Sequence, residues 1–151
     1  MMFCNYEVKV VVGPICSVDY VDTFVNVYNG SSVSFVGYVR TRNFSVVSNG
    51  ITFVVFESLL LNVFRKLCFN VFTKYGRFVQ VKIVHSKGFV GVGEPCIYIK
   101  VATAHRVESF KICRYIIENV KINAPIWKKE HYFEMGSNER WFYTTHKLQK
   151  C

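Results

Sequence analysis

The chain lacks several things, and each absence narrows what it can be. Although 51% of its residues are hydrophobic, no apolar run reaches the roughly 18 residues that a helix needs to span a bilayer. A helical membrane protein is thereby excluded. The N-terminus, Met1-Met2-Phe3-Cys4-Asn5-Tyr6-Glu7, lacks a basic start followed by an apolar run. It does not read as a secretory signal, and the cytoplasm is the expected location. Charged residues make up only 19%, which argues against a disordered chain. There is no internal repeat and no low-complexity segment. The six cysteines, Cys4, Cys16, Cys68, Cys96, Cys113 and Cys151, contain no C-x-x-C pair. They are expected to be reduced, with no metal site among them.

Acidic residues are scarce too. Ten of them face 19 Lys and Arg, for a net charge of +9. The imbalance is uneven: residues 1–75 carry +2 and residues 76–151 carry +7. A basic surface attracts nucleic acid, an anionic small molecule or an acidic protein, and charge alone does not choose among them. A chain of 151 residues, 17% aromatic, has ample material for the core of one domain, taken here as residues 1–151.

Tyr6 to Val12 alternates as a half-buried strand, broken by Gly13-Pro14. Ser17 caps a helix through Val18, Val21, Val25 and Tyr28, which Asn29-Gly30 ends. Val33 to Val39 reads as a strand, and Gly37 within it suggests a bulge or a close approach. Thr41 to Gly50 reads as a polar loop. Ile51 to Glu57 is a strand, and Ser58 to Tyr75 a well-buried helix stopped by Gly76. Phe78 to His85 is a strand, Ser86 to Gly93 a turn, and Cys96 to Thr103 a strand rich in Ile and Val. Near the end, Tyr132-Phe133 and Trp141-Phe142-Tyr143 flank a turn at Met135 to Asn138, as in a hairpin. Strands and helices interleave early and strands dominate late, so the class is α+β.

The densest information lies between Ala104 and Glu130. Val107, Phe110, Cys113, Ile117 and Val120 recur at helical steps, and Pro125 ends the pattern. His105-Arg106 stands at the start of this helix and Lys121 near its end, roughly 25 Å apart along the axis. One rigid rod cannot bring both ends to one small ligand. If they share a chemistry, a second chain or a returning segment must complete the site. At the helix start, backbone N–H groups, the helix dipole, a guanidinium and an imidazole converge on a phosphate-like anion; an arginine paired to a nearby carboxylate is the alternative.

Taken together, Ala104-His105-Arg106, Phe110, Lys121 and Pro125-Ile126-Trp127-Lys128-Lys129-Glu130 resemble the large, catalytic subunit of molybdopterin synthase. Gly37-Tyr38-Val39-Arg40, His85 with Gly88, and Val92-Gly93-Glu94 extend the resemblance over roughly residues 6–142. It implies an α/β hammerhead-like fold with a small antiparallel β subdomain. It also implies sulfur transfer from the C-terminal thiocarboxylate of a small ubiquitin-like subunit to cyclic pyranopterin monophosphate. The implied assembly is a homodimer within a heterotetramer, with no metal, cofactor, nucleic acid or membrane. Carried over by position, Lys121 and Lys128 are the catalytic lysines, and Arg40, His105, Arg106, Lys129 and Glu130 bind substrate. Cations and fixed donors suit an anionic substrate and the negative charge that develops on it.

Other readings stand beside these. Lys121 could only stabilise a helix end, and Lys128 and Arg40 could be surface charges. His85, on the apolar side of its strand with Val79, Val81 and Ile83, reads as a core histidine, and His131 and His146 have no chemical case. Three positions depart from the family pattern: Ser86 for arginine, Tyr38 for lysine and Phe56 for tyrosine. The competing functions are a nucleic-acid-binding α+β domain, with Tyr38 and Phe44 exposed, and a non-catalytic scaffold of the same family.

Overall fold

A computed structural model describes residues 5–20, 26–43, 46–132 and 141–144, with side chains for 5–20, 26–41 and 47–132. In chain order the elements are β1 (Tyr6–Val12), a 3-10 turn (Ser17–Tyr20), β2 (Ser31–Tyr38), β3 (Arg42–Asn43) and β4 (Val46–Val55). There follow α1 (Glu57–Tyr75), β5 (Gln80–Gly91), β6 (Pro95–Thr103), α2 (Arg106–Asn123), β7 (Ile126–Tyr132) and β8 (Trp141–Thr144). The strands form one mixed sheet in the order β2-β6-β5-β4-β7-β8, with β1 added parallel to β5 and β3 paired to β4.

The 12-residue strand β5 joins two halves. Its first part, Gln80 to His85, pairs with β6 and lies beside β1, whose Tyr6–Val12 match Val81–Lys87. Its last part, Gly88 to Gly91, pairs instead with β4, which also holds β7. The first half carries both helices. Leu60, Phe64, Leu67, Cys68 and Val71 of α1 and Ile112, Cys113, Ile116 and Val120 of α2 close over Val81, Ile83, Ile97, Ile99 and Val101. The second half is antiparallel and carries its own small cluster of Val39, Phe53 and Val90. This is the α+β fold with an antiparallel subdomain that the resemblance implied.

Several expectations need correcting. The expected loop at 41–50 is a hairpin: Arg42-Asn43 pairs with Val46-Val47, and β4 runs on from there. Its polarity is misleading because Ser48 is buried with its hydroxyl satisfied by the carbonyls of Gly50 and His131. The expected turn at 86–93 is mostly strand, since Gly88 to Gly91 finds partners in β4 and only Val92-Gly93 turns. The helix expected after Ser17 is a four-residue 3-10 turn as far as Tyr20; residues 21–25 lie outside the described residues, as does the expected turn at 135–138. Val18 and Tyr28 of that stripe are exposed.

The long helix is turned by about one position from its expected face. Ser109, Ile112, Cys113, Ile116 and Val120 are buried, whereas Val107 and Phe110 are 52% and 63% exposed. Apolar residues occupy both stripes, so periodicity could not choose between them. The tertiary contact chose: small Ser109 lets α2 approach β2, where its hydroxyl meets that of Ser31 at 2.9 Å.

Candidate active site

Two close approaches locate the ends of α2. At its start, a side chain on Gly30 would put Cβ 2.8 Å from the Ala104 carbonyl oxygen, so the β2 entrance and the Ala104-His105-Arg106 corner are pressed together. At the other end of β2, a Cβ on Gly37 would meet Ile97 at 2.5 Å, and the register shifts between Gly37 and Tyr38. The bulge expected at Gly37 is therefore present, and it delivers Val39 and Arg40 beside the β5–β6 turn. The Val39 N–H donates to the Glu94 carbonyl at 3.0 Å, and its carbonyl accepts from the Gly93 N–H at 2.8 Å.

The sequence-predicted residues thus fall into two groups. His105 and Arg106 sit at the N-terminus of α2, both exposed. His105 is the N-cap residue, yet its side chain makes no capping bond, so the helix start keeps N–H donors for an anion. Arg40, Lys121 and Lys128 belong to the opposite end. The eight residues of β2 span about 25 Å, as do the turns of α2 from Arg106 to Lys121. Strand and helix give the same separation, so one copy of the chain does not bring the two groups together.

The far group is built as follows. The Ala124 N–H closes α2 on the Val120 carbonyl at 3.1 Å, and Pro125 turns the chain into β7. Lys121 and Lys128 flank this junction. In β7 the side chains alternate: Trp127 is 46% exposed while Glu130 is buried. Lys128 lies opposite Phe53 and Glu130 opposite Ile51 across β4. Ile126, two residues before Lys128, packs against the cluster of Val39, next to Arg40, with Phe53 and Val90. Arg40 and Lys128 are thereby anchored by one apolar cluster.

Lys128 is half-buried, and its charge reaches two neighbours. It pushes the pKa of His85 down and that of the Cys96 thiol down, in each case against or beside a larger effect of burial. Burial depresses His85 to about 4, so the ring is neutral at pH 7. His85 Nδ1 lies 2.8 Å from the Ser86 carbonyl, which can only accept, so Nδ1 carries the proton and Nε2 is bare. The ring stands edge-on to Phe53 with centroids 5.3 Å apart. His85 is thus a satisfied core histidine, as its strand position indicated. Cys96 donates to the Gly37 carbonyl at 3.4 Å. Spacing gave no signal that Phe53, His85 and Cys96 would gather around Lys128; only the pairing of β4 with both β5 and β7 does so.

Among the described residues Arg40, Arg106, Lys121 and Lys128 form no ion pair, whereas Lys9, Lys82, Lys87 and Arg114 each face a carboxylate. Glu130 instead accepts the hydroxyl of Tyr132. Burial and that bond push the Tyr132 phenol up to about 12. Lys129, beside Trp127, lies opposite Thr52. Of the departures, Tyr38 and Phe56 are 57% and 67% exposed, and Ser86 is fully buried. No group of His, Cys, Asp and Glu side chains able to hold a metal occurs among the described residues, and no helix there is long and apolar enough to cross a membrane.

Known proteins share this fold. The chain is 39% identical over 103 residues to a molybdopterin synthase catalytic subunit of Synechococcus elongatus, covering 68% of this chain and 62% of the relative. It is 33% identical over 109 residues to the subunit of the same name from Nostoc, covering 72% and 66%. The matched stretch is thus less than two thirds of each of these relatives. The fold superposes on the crystal structure of molybdopterin synthase from Staphylococcus aureus with a TM-score of 0.77 at 25% identity, covering 91% of this chain and 96% of that one. It also superposes on a complex of subunits 1 and 2 of molybdopterin-converting factor from Helicobacter pylori, with a TM-score of 0.69 at 22% identity, covering 93% and 91%. The model of the family described as MoaE protein matches residues 13–123, and the chain belongs to that family.

Proposed function

We propose that the chain is the catalytic subunit of a cytoplasmic molybdopterin synthase and acts as one domain over residues 1–151. It transfers sulfur from the C-terminal thiocarboxylate of a small ubiquitin-like partner to cyclic pyranopterin monophosphate. The observation that carries this reading is the pair of cationic groups, unmatched by carboxylates among the described residues, at the two ends of α2. An anion held by both requires two copies of the chain, His105 and Arg106 from one and Arg40, Lys121 and Lys128 from the other. That is a homodimer with two sites, and one small subunit at each site makes a heterotetramer. The names of the relatives support the activity, and the Helicobacter complex supports a two-subunit assembly.

In this site the exposed helix start of one copy holds the phosphate. Lys121 and Lys128 of the other stabilise charge as the tail's sulfur displaces an oxygen of the pterin side chain to give a thioester, and as water then cleaves that thioester, leaving the sulfur on the pterin and releasing the tail as a carboxylate. The half-buried setting of Lys128, with neutral His85 behind it, strengthens its field relative to water. Glu130 lies on the same face of β7 as Lys128, and Lys129 on the opposite face with Trp127. The unpaired cluster favours this over a nucleic-acid groove, whose cations would follow an extended track.

The test mixes two variants, Arg106→Glu, whose reversed charge abolishes phosphate binding, and Lys128→Ala, with thiocarboxylated small subunit and the cyclic precursor. In a shared site, each mixed dimer regains one intact site of its two, so random exchange restores roughly a quarter of wild-type dithiolene formation. If mixing restores nothing while each variant still dimerises, the site does not cross chains. If folded wild-type protein makes no dithiolene, the enzyme reading fails.

A further inference from the structure

One edge of the sheet is open to another chain. β2 ends the sheet: β6 pairs with one side of it, and no described strand pairs with the other. Alternate residues of such a strand direct N–H and C=O groups outward with no strand to receive them. Proteins commonly blunt an edge of this kind with charge or proline. β1, which pairs only with β5 among the described strands, carries Glu7 and Lys9. β2 reads Ser31-Ser32-Val33-Ser34-Phe35-Val36-Gly37-Tyr38 and has neither charge nor proline along its eight residues. Its bulge comes only at the end, between Gly37 and Tyr38. Ser32 and Ser34 are exposed, and their small side chains leave the backbone accessible.

The same strand separates the two cation groups. Gly30, just before it, is pressed against Ala104, beside His105 and Arg106. Its other end runs through Val39 into Arg40. A second β2 added antiparallel runs the opposite way, so its end lies beside the start of the first. Strand and helix both span about 25 Å, so this reversal places Arg40 of one copy beside His105 and Arg106 of the other. One two-fold axis does so twice. A parallel pairing would align like ends and leave the two groups apart. Residues opposite each other across a strand pair share a face of the sheet, so the axis lies level with a residue, Ser34 or Phe35 at the middle of β2. Apolar surface adjoins this edge: Val107 and Phe110 are 52% and 63% exposed on either side of Ser109, whose hydroxyl touches that of Ser31.

We propose that two copies of the chain join through the open edge of β2, antiparallel about a two-fold axis level with Ser34 or Phe35, and that this pairing closes each cation site across chains. The pairing rests on the two-copy site proposed above and supplies the surface that builds it. A second copy fits the edge better than an extended peptide tail, which would satisfy the backbone but leave the two cation groups apart.

The test places a thiol at the middle of the edge. Ser34→Cys in the full chain is treated with a bis-maleimide reaching about 8 Å, the separation of diagonal neighbours across a strand pair. Wild type and Thr73→Cys, an exposed position on α1, are the controls. Ser34→Cys should give roughly tenfold more covalent dimer than either control, because pairing raises the local thiol concentration, and mass spectrometry should show position 34 joined to position 34. In wild type, consecutive amides from Ser32 to Val36 should all exchange slowly with deuterium, whereas an open edge shows fast exchange at alternate residues. The proposal is overturned if Ser34→Cys links no better than the controls, if alternate amides of β2 exchange fast, or if position 34 captures the small subunit in place of a second copy. Should the mixed Arg106 and Lys128 variants regain activity in that event, the shared site stands on another interface. If position 34 links to itself but mixing restores nothing, the edge pairing holds and the shared-site reading fails.

Discussion

The two ends of α2 carry the same sign of charge in different surroundings. At the N-terminus, His105 and Arg106 are exposed and rely on helix N–H donors that no side chain caps. At the far end, Lys128 is half-buried beside a neutral histidine, a thiol and the Phe53 ring. An exposed cation at a helix start is suited to binding, because water screens it and the donors set its geometry. A cation against a dry wall is suited to chemistry, because charge that develops nearby meets a stronger field. On the reading proposed above, holding falls to His105 and Arg106, and catalysis to half-buried Lys128 with Lys121, which is exposed beside it.

The sharpest way to break this contrast is at the lysines. Lys121→Ala should lower turnover by about 10²-fold or more, the scale of losing a fixed charge-stabilising donor, while analytical ultracentrifugation shows the dimer and partner binding intact. Normal rates would remove Lys121 from the catalytic group. Arg106→Ala should act mainly through binding, raising KM for the precursor about tenfold with a smaller change in kcat; steady-state kinetics in which kcat falls and KM stays would reverse the assignment of the two ends.

Smaller effects sharpen the same comparison. His85 is neutral because it is buried, with a pKa lowered from 6.5 to about 4. Its contribution to stability is therefore complete above pH 6.5 and is lost as pH falls towards 4, because the unfolded chain takes up the proton first. The loss is on the order of 3 kcal/mol, read by urea unfolding across that range. His85→Phe should flatten the dependence; an unchanged slope would mean that other groups set it. Smallest of all, Trp127→Ala on the exposed side of β7 should leave turnover within about twofold, since surface changes away from special features have small effects.

Much of this was legible before any coordinates. The strand at Tyr6–Val12, the helix stopped by Gly76, the bulge at Gly37 and the break at Pro125 each follow from local rules, and all are present. The block from Ala104 to Glu130 pointed to the family, and the family model covers most of that block. Segments whose partners lie far away were misread. Thr41 to Gly50 looked like loop because Ser48 and Gly50 find their partners on β7, some 80 residues on. The end of β5 looked like turn because glycines hid a strand that only β4 completes. For α2, two apolar stripes competed, and only packing on β2 and α1 selected one.

By itself the sequence determined the candidate cations, the spacing of His105-Arg106 and Lys121 along one helix and the conclusion that, if the two ends share a chemistry, a second chain or a returning segment must complete the site. Those are consequences of bond geometry and helical rise, which need no partner. The tertiary structure decided which lysine is half-buried, that His85 is neutral and faces Phe53, and that Arg40 and Lys128 are anchored by one cluster. Burial and dielectric depend on what packs from elsewhere in the chain, and no local pattern encodes them.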